Sequence, residues 1–354
     1  MSPGNALQAA AGQDWSPFVL VAGLLLIGLM ANDDGLFAWA GDRIAALARN
    51  GFALFAGASA LISVVTAVLN LDTSVAFLTP VLVYAARARV RSDVALLYGC
   101  VLLSNAASLL LPGSNLTNLI VLGHLHLSGG AFAARMGLPW VAAVATTAVI
   151  VGIGGRDSLR TRPEPATGDA ELHLGLGAAA MAAAVLVVLG LRSPALPVLG
   201  IGVAGVALRW RQGRTTATEI RNVLGLPVLT GLFLVALGLG AAGRMWSGPA
   251  QMLGRLGPWS TAGVAAAASV LVNNLPAASL LAARAPAHPY ALLIGLDLGP
   301  NLFVTGSLSW ILWLRSARSA GARPSLATGT AMGVVAAVVS MAAALALLEA
   351  TSLA

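Results

Sequence analysis

Apolar runs of about 15 to 20 residues recur along the chain between short turns carrying arginine, glycine or proline, and a helix needs ~20 such residues to cross ~30 Å of hydrocarbon. The first predicted span is Ser16 to Ala31. "GLFAWAGDRIAALAR" follows from Gly35 to Arg49, with apolar positions at helical spacing opposite Asp42, Arg43 and Arg49, and reads as a surface helix. Phe52 to Ala85 is apolar but broken by "LNLDTS", which suits a re-entrant helical hairpin. Val94 to Gly123 is broken by "LLPGSNLTN", and Leu138 to Gly154 is an ordinary span. After the hydrophilic stretch Gly155 to His173 come two spans, Leu174 to Gly190 and Ala195 to Trp210. The earlier order then returns: a span at Gly225 to Gly243 and a surface segment at Met245 to Gly257. A hairpin at Trp259 to Arg284 is broken at "VNNLPA", and a broken helix at Tyr290 to Leu314 precedes a last span at Leu326 to Leu348.

The expected architecture is therefore an all-α polytopic membrane protein with two re-entrant hairpins and two discontinuous helices. It has a first repeat over 15–154, a cytoplasmic linker over 155–173, two scaffold spans over 174–210 and a second repeat over 224–348. "SLLLPGSN" from Ser108 and "NLFVTGSL" from Asn301 support the repeat, since each sets Gly-Ser after a polar residue followed by leucine. A β-barrel is excluded, because its ~10-residue alternating segments are missing.

Threading these spans leaves only Arg135, Arg192, Arg244, Arg255 and Arg284 on one side, and the other fifteen of the twenty arginines on the opposite side. Cytoplasmic loops retain basic residues, so the arginine-rich side is predicted to be cytoplasmic and the N-terminus outside. The first hairpin then enters from the cytoplasm and the second from outside. Such inverted repeats, with discontinuous helices meeting near the midplane, mark secondary transporters.

Composition agrees: 58% of the 354 residues are hydrophobic and 9% charged, against roughly 45–50% and ~25% in soluble domains. The net charge of +7 reports topology rather than nucleic-acid binding, for no basic stripe with interleaved aromatics is present. The single cysteine, Cys100, excludes an internal disulfide, and no Cys/His spacing suggests a metal or cofactor site. Residues 1 to 14 are small and polar without a basic region, unlike a cleaved signal peptide.

Unwound backbone at membrane depth is tolerated only where protein buries it or a wet cavity borders it, so four interruptions imply one shared internal site. The candidate substrate-binding residues are Asn70 and Thr73; Ser114, Asn115 and Thr117; Asn273 and Asn274; and Asn301, Thr305 and Ser307. Each could equally cap a half-helix or tie two helices together. Asp72 and Asp297 read as the only carboxylates within apolar segments, and are candidates for proton or cation coupling against a structural role as capped or paired acids. His124, His126, His173 and His288 fall at span ends or in loops and receive no role. Trp140, Trp210, Trp246, Trp259, Trp310 and Trp313 are expected in interfacial belts.

"LNLDTSVAFLTPVLV", "SNAASLLLPGSNLTNLIVL", "LVNNLPAASLL" and "GLDLGPNLFVTGSLSWILWL", in this order, resemble the arsenite permease (ArsB) family of the ion transporter superfamily, which also holds citrate, dicarboxylate and sodium/proton carriers. The resemblance runs from about Trp15 to the C-terminus. It implies an inner-membrane carrier, not an enzyme, that exports arsenite or antimonite in exchange for protons, with a soluble arsenite-stimulated ATPase and a homodimer as partners. Carried onto this sequence, Asn70, Asp72 and Thr73 match the first tip and Ser114, Asn115 and Thr117 the first broken helix. Asn273 and Asn274 match the second tip, and Asp297, Gly299, Asn301, Gly306 and Ser307 the second broken helix.

Three departures stand out. The Asn-Asp pair of the first tip becomes Leu71-Asp72, with Asn70 displaced by one. Asn105 stands where relatives can carry aspartate. The scaffold spans at 174–190 and 195–210 lack N-terminal counterparts, so either the scaffold is reduced or a partner subunit covers that face.

Near neutral pH arsenite is a small neutral trihydroxy molecule that hydroxyls and carboxamides can hold without thiolates. The rival carriers of the superfamily would use the same tips, and fold cannot separate them. A dicarboxylate would favour arginine there, and none is present. A membrane enzyme lacks a nucleophile, base or metal constellation, and a channel would lack saturable, proton-dependent flux.

Overall fold

The structure, a computed structural model, describes residues 1–89, 92–123, 125, 127–159, 175–191 and 193–353. His124, His126, His173 and most of the expected 155–173 linker lie outside the described residues. Every regular element among them is helical. Helix α1 (Pro3–Asp33) starts at Ser2, whose hydroxyl accepts the Asn5 N–H, with Pro3 in the first turn where its missing N–H costs nothing. The small, polar segment ahead of the expected first span is thus the first third of a 31-residue helix with Ala6, Ala10 and Asp14 buried.

Helix α2 (Leu36–Leu47) follows a left-handed Gly35. The first hairpin is α3 (Gly51–Val68) and α4 (Leu71–Arg89). The first broken helix is α5 (Val94–Ala107), a 3-10 turn at Pro112–Ser114, and α6 (Leu116–Leu122). Helix α7 (Gly129–Gly154) begins nine residues before the expected span because Ser128 caps it, and α8 (Arg156–Leu159) is one turn. Helices α9 (Leu176–Gly190) and α10 (Ala195–Arg211) pack on α1.

A capping box between Thr216 and Glu219 starts α11 (Ala217–Leu224), and Gly225 in left-handed geometry turns it into α12 (Leu226–Met245). Helix α13 (Gly248–Leu253) is short. The second hairpin is α14 (Pro258–Val272) and α15 (Asn274–Leu281), and the second broken helix is α16 (Pro289–Leu298), a 3-10 turn at Gly299–Leu302, and α17 (Leu308–Ser319). Helix α18 (Leu326–Leu353) closes the chain. Five helical stretches among the described residues are long and apolar enough to cross a membrane, and this is a multi-pass membrane protein.

Two apolar clusters form the interior. One joins α1, the first hairpin, α5 and α17 through Leu24, Ile27, Met30, Leu78 and Leu102, and the other joins α6, α12 and α14 to α16 through Leu116, Ile120, Leu275 and Leu292. Lipid tails are as apolar as these side chains, so close approach rather than water exclusion holds such helices together. At the Arg209 end of α1, the buried Arg209 guanidinium contacts both Asp34 and Asp33 (3.7 Å), while Asp34 accepts the Gly177 N–H at 2.7 Å, tying α1, α9 and α10.

Two of the expected interfacial tryptophans are interior. Trp310 and Trp313 are 1% and 0% exposed, and their indole N–H groups donate to Pro300 O and Leu97 O, both at 2.8 Å. Leu97 lies inside α5 and its carbonyl takes the indole as a second donor; at Pro300 broken backbone supplies the reason, since a carbonyl without its helical N–H must find another donor. Trp140 does the same for Ala107 O at 3.0 Å.

Candidate functional site

Both hairpin tips turn on an asparagine with positive φ, Asn70 at 147° and Asn273 at 74°, the only non-glycine residues among those described with that sign. Asparagine tolerates this geometry better than other side chains and can cap the helix that follows. Asn70 Oδ1 accepts the Thr73 N–H at 2.7 Å, and Asn273 Oδ1 accepts the Leu275 N–H at 3.4 Å. The tips therefore share one device, which aligns Asn70 with Asn273 and Leu71-Asp72 with Asn274-Leu275.

The broken helices cross side by side, joined by their own polar groups. Asn105 Nδ2 donates to Asn301 Oδ1 at 2.8 Å, and Asn301 Nδ2 donates to Leu102 O at 3.0 Å. Asp297 Oδ1 receives Asn115 Nδ2 at 2.8 Å and Thr117 Oγ1 at 2.6 Å, while its Oδ2, equally buried, has no partner. A bare buried carboxylate oxygen is costly to keep charged. Ser114 donates to the freed carbonyls of Ser108 and Leu111, and Asn118 Nδ2 to the same two at 2.8 and 3.2 Å. Behind the crossing, α18 comes so near that a Cβ on Gly333 would lie 2.0 Å from Asn301 O.

All four interruptions meet at one small void, walled by Leu71, Asp72, Asn115, Leu116, Leu232, Asn273, Asn274, Leu275, Ser307 and Leu308. Its volume of about 10 Å³ is near the least that holds one water. Any larger solute enters only when the tips separate. A second cavity of about 290 Å³ runs from Asn222, Leu312 and Arg315 inward to Asp72 and Leu308. Asp72 and Leu308 belong to both walls, so one carboxylate faces the small void and the larger vestibule together.

The expected site residues thus fall into four groups. Asp72, Asn115, Asn273, Asn274 and Ser307 wall the void. Thr117, Asp297 and Asn301 stand behind it in the crossing. Asn70, Thr73 and Ser114 are buried, with Asn70 and Ser114 engaging backbone. Thr305 lies off the void, exposed, its hydroxyl donating to Val270 O at 2.6 Å. Sequence reasoning passed over Ser108, Asn118 and Ser309, whose signal was i+3 or i+2 spacing from Asn105, Asn115 and Ser307. It also missed Asp14, a third carboxylate within an apolar helix and 0% exposed.

Residues 2–313 match the citrate transporter family, CitMHS. The chain belongs to this family. Among curated proteins, the CitMHS chain is similar to the arsenical pump membrane protein of Escherichia coli K12, 27% identical over 334 residues, covering 85% of this chain and 78% of that one. The Yersinia enterocolitica arsenical pump membrane protein is 26% identical over 339 residues with the same coverage. Among solved structures, the Alcanivorax borkumensis YdaH transporter superposes with a TM-score of 0.53 at 14% identity, covering 96% of this chain and 86% of that one, a likeness of fold. The CitMHS chain is a membrane transporter of this superfamily.

Proposed function

We propose that this chain exports arsenite or antimonite across the cytoplasmic membrane in exchange for protons, and so confers arsenic resistance. The observation that carries the reading is the void wall: carboxamides, one hydroxyl and one carboxylate converge there with no cationic side chain. Citrate or a dicarboxylate brings at least two negative charges, which a wall carrying Asp72 and no arginine repels. A neutral trihydroxy molecule offers donors and acceptors that match Asn115, Asn273, Asn274 and Ser307. The names of the curated relatives point the same way.

On this reading the two halves form inverted repeats, the Arg315 end faces the cytoplasm, and the N-terminus lies outside. The conformation is inward-facing on this reading, with the vestibule leading from the cytoplasm to Asp72. Asp72 exchanges protons with that vestibule. Asp297, sealed in the crossing, binds the proton that resets the carrier as the two broken helices move against α1, α9, α10 and α12. A soluble ATPase and a second copy of the chain belong to the same reading.

Expression in an arsenite-sensitive strain lacking its own exporter tests it. Cellular arsenic should fall and growth in arsenite should recover. Unchanged arsenic with verified membrane insertion overturns the arsenite reading in favour of the citrate, dicarboxylate or sodium/proton carriers.

A further inference from the structure

At the outer end of α1, Gln13 Nε2 donates to Ile120 O at 2.8 Å and to Ala282 O at 3.2 Å. Ile120 lies near the end of α6, and Ala282 is the C-cap of α15. The inner ends of the same two half-helices carry Asn115 and Asn274, which wall the void. One amide group from α1 therefore staples the outer ends of the two pieces that must part if the void is to open outward.

Gln13 is itself oriented. Arg244 of α12 donates from Nη2 to Gln13 Oε1 and from Nη1 to Gly240 O at 2.9 Å, which fixes the Gln13 oxygen toward Arg244 and its N–H groups toward the two carbonyls. Asp14 stands beside this group, 0% exposed, with neither carboxylate oxygen hydrogen-bonded, facing Arg244 and Ser279 of α15. Both charged groups close on Gly240, where a Cβ would lie 3.2 Å from Arg244 Nη1 and 3.3 Å from Asp14 Oδ2. An isolated buried carboxylate is expensive, and the neighbouring guanidinium offsets that cost only while Arg244 stays in place. A cavity of about 470 Å³ opens on this side, with Gln13 and Arg244 in its wall and Pro112 of the first broken helix at its floor.

We infer that Gln13, Asp14 and Arg244 form a latch that holds the outer side of the transporter shut and must release once in every transport cycle. They are positioning residues, since none of the three walls the void. The inference rests on the inward-facing reading of the chain and on its topology, but not on the identity of the cargo.

Side-specific labelling tests it. Cys100→Ala removes the lone, buried cysteine, and Leu232→Cys then supplies a thiol in the void wall. A membrane-impermeant methanethiosulfonate is applied from the outside in right-side-out vesicles and from the cytoplasmic side in everted ones. Adding Gln13→Ala or Arg244→Gln should raise the outside labelling rate at least tenfold and lower the cytoplasmic rate, a redistribution that mere loosening of the fold would not produce. Gln251→Ala, at an exposed side chain on the same outer side bonded to Ser247, should change neither rate. Equal outside rates in the Gln13→Ala and Gln251→Ala proteins overturn the latch.

A second arm replaces the amide staple with a covalent one that can be cut. Gln13→Cys with Ala282→Cys, bridged by a short reducible bifunctional thiol reagent, should lose transport and regain it on reduction. Undiminished transport by the bridged protein also overturns the latch. Absence of arsenite transport beside the predicted shift in labelling would refute the cargo reading and leave the latch standing.

Discussion

Asn301→Ala tests whether the two broken helices act as one unit. The truncation removes the acceptor that Asn105 Nδ2 holds at 2.8 Å and the donor that Leu102 O receives at 3.0 Å, both at a side chain 0% exposed. Asn105 retains Val101 O at 3.2 Å, so its loss is partial. Leu102 O lies inside α5 and keeps its helical partner, so the two lost bonds, at about 0.5–1.5 kcal/mol each, should destabilise the protein by about 1–3 kcal/mol in all.

Asn105→Ala strands Asn301 Oδ1 and also removes the oxygen that the Ser307 and Ser309 hydroxyls approach at 3.5 Å. Its cost is about 1–3 kcal/mol. In the double variant the shared bond is lost once rather than twice, so the combined effect should fall about 1–2 kcal/mol short of the sum. Independent sites add within ~0.5 kcal/mol. Unfolding titrations with SDS in mixed micelles on the four proteins give the coupling directly. A coupling below about 0.5 kcal/mol would refute the claim that this pair joins the helices.

Three further outcomes follow from the same geometry. Trp310→Phe strands the buried Pro300 carbonyl and should cost about 1–3 kcal/mol in the same titration, whereas Trp210→Phe, at a side chain 62% exposed, should stay within about 0.5 kcal/mol. Gly333→Ala puts a Cβ 2.0 Å from Asn301 O; it should cost about 1–3 kcal/mol by overpacking and depress transport, while Gly137→Ala, with nothing within 4 Å, should do neither. Arg209→Met leaves Asp33 and Asp34 without their guanidinium and should cost about 3–5 kcal/mol, measured as the fall in the unfolding midpoint.

The sequence exposed the architecture through its interruptions. "LNLDTS", "LLPGSNLTN", "VNNLPA" and "DLGPN" each break an apolar run, and lipid permits such breaks only around a protected interior, so one shared site could be expected before any coordinate. Which polar residues face the void could not, because asparagine serves equally as turn, cap and ligand. The sequence offers Asn70 and Asn273 alike as substrate contacts; the fold makes both tip residues with positive φ, and of the two Asn273 alone walls the void. Thr305 looked like part of the same ring, yet a 3-10 turn carries it past the void to cap Val270 O.

Asp14 was hidden for a different reason. It stands in a polar, alanine-rich stretch ahead of the first apolar run, and its burial comes from α12 and α15, contacts more than two hundred residues away. Trp310 and Trp313 misled in the opposite direction. Their position near a span end suggests an interface, whereas the carbonyls freed at residues 299–302 and the packing on α5 draw them inside.

Proton-driven arsenite export can be read most directly in everted membrane vesicles. Arsenic uptake is followed with and without an imposed proton gradient, for the native chain and for Asp297→Asn. The substitution keeps an acceptor for Asn115 and Thr117 but cannot carry the proton. The account predicts saturable, gradient-dependent uptake by the native chain and background uptake by a folded Asp297→Asn protein. Native uptake no greater than in vesicles lacking the protein, or full gradient-driven uptake by Asp297→Asn, would contradict it.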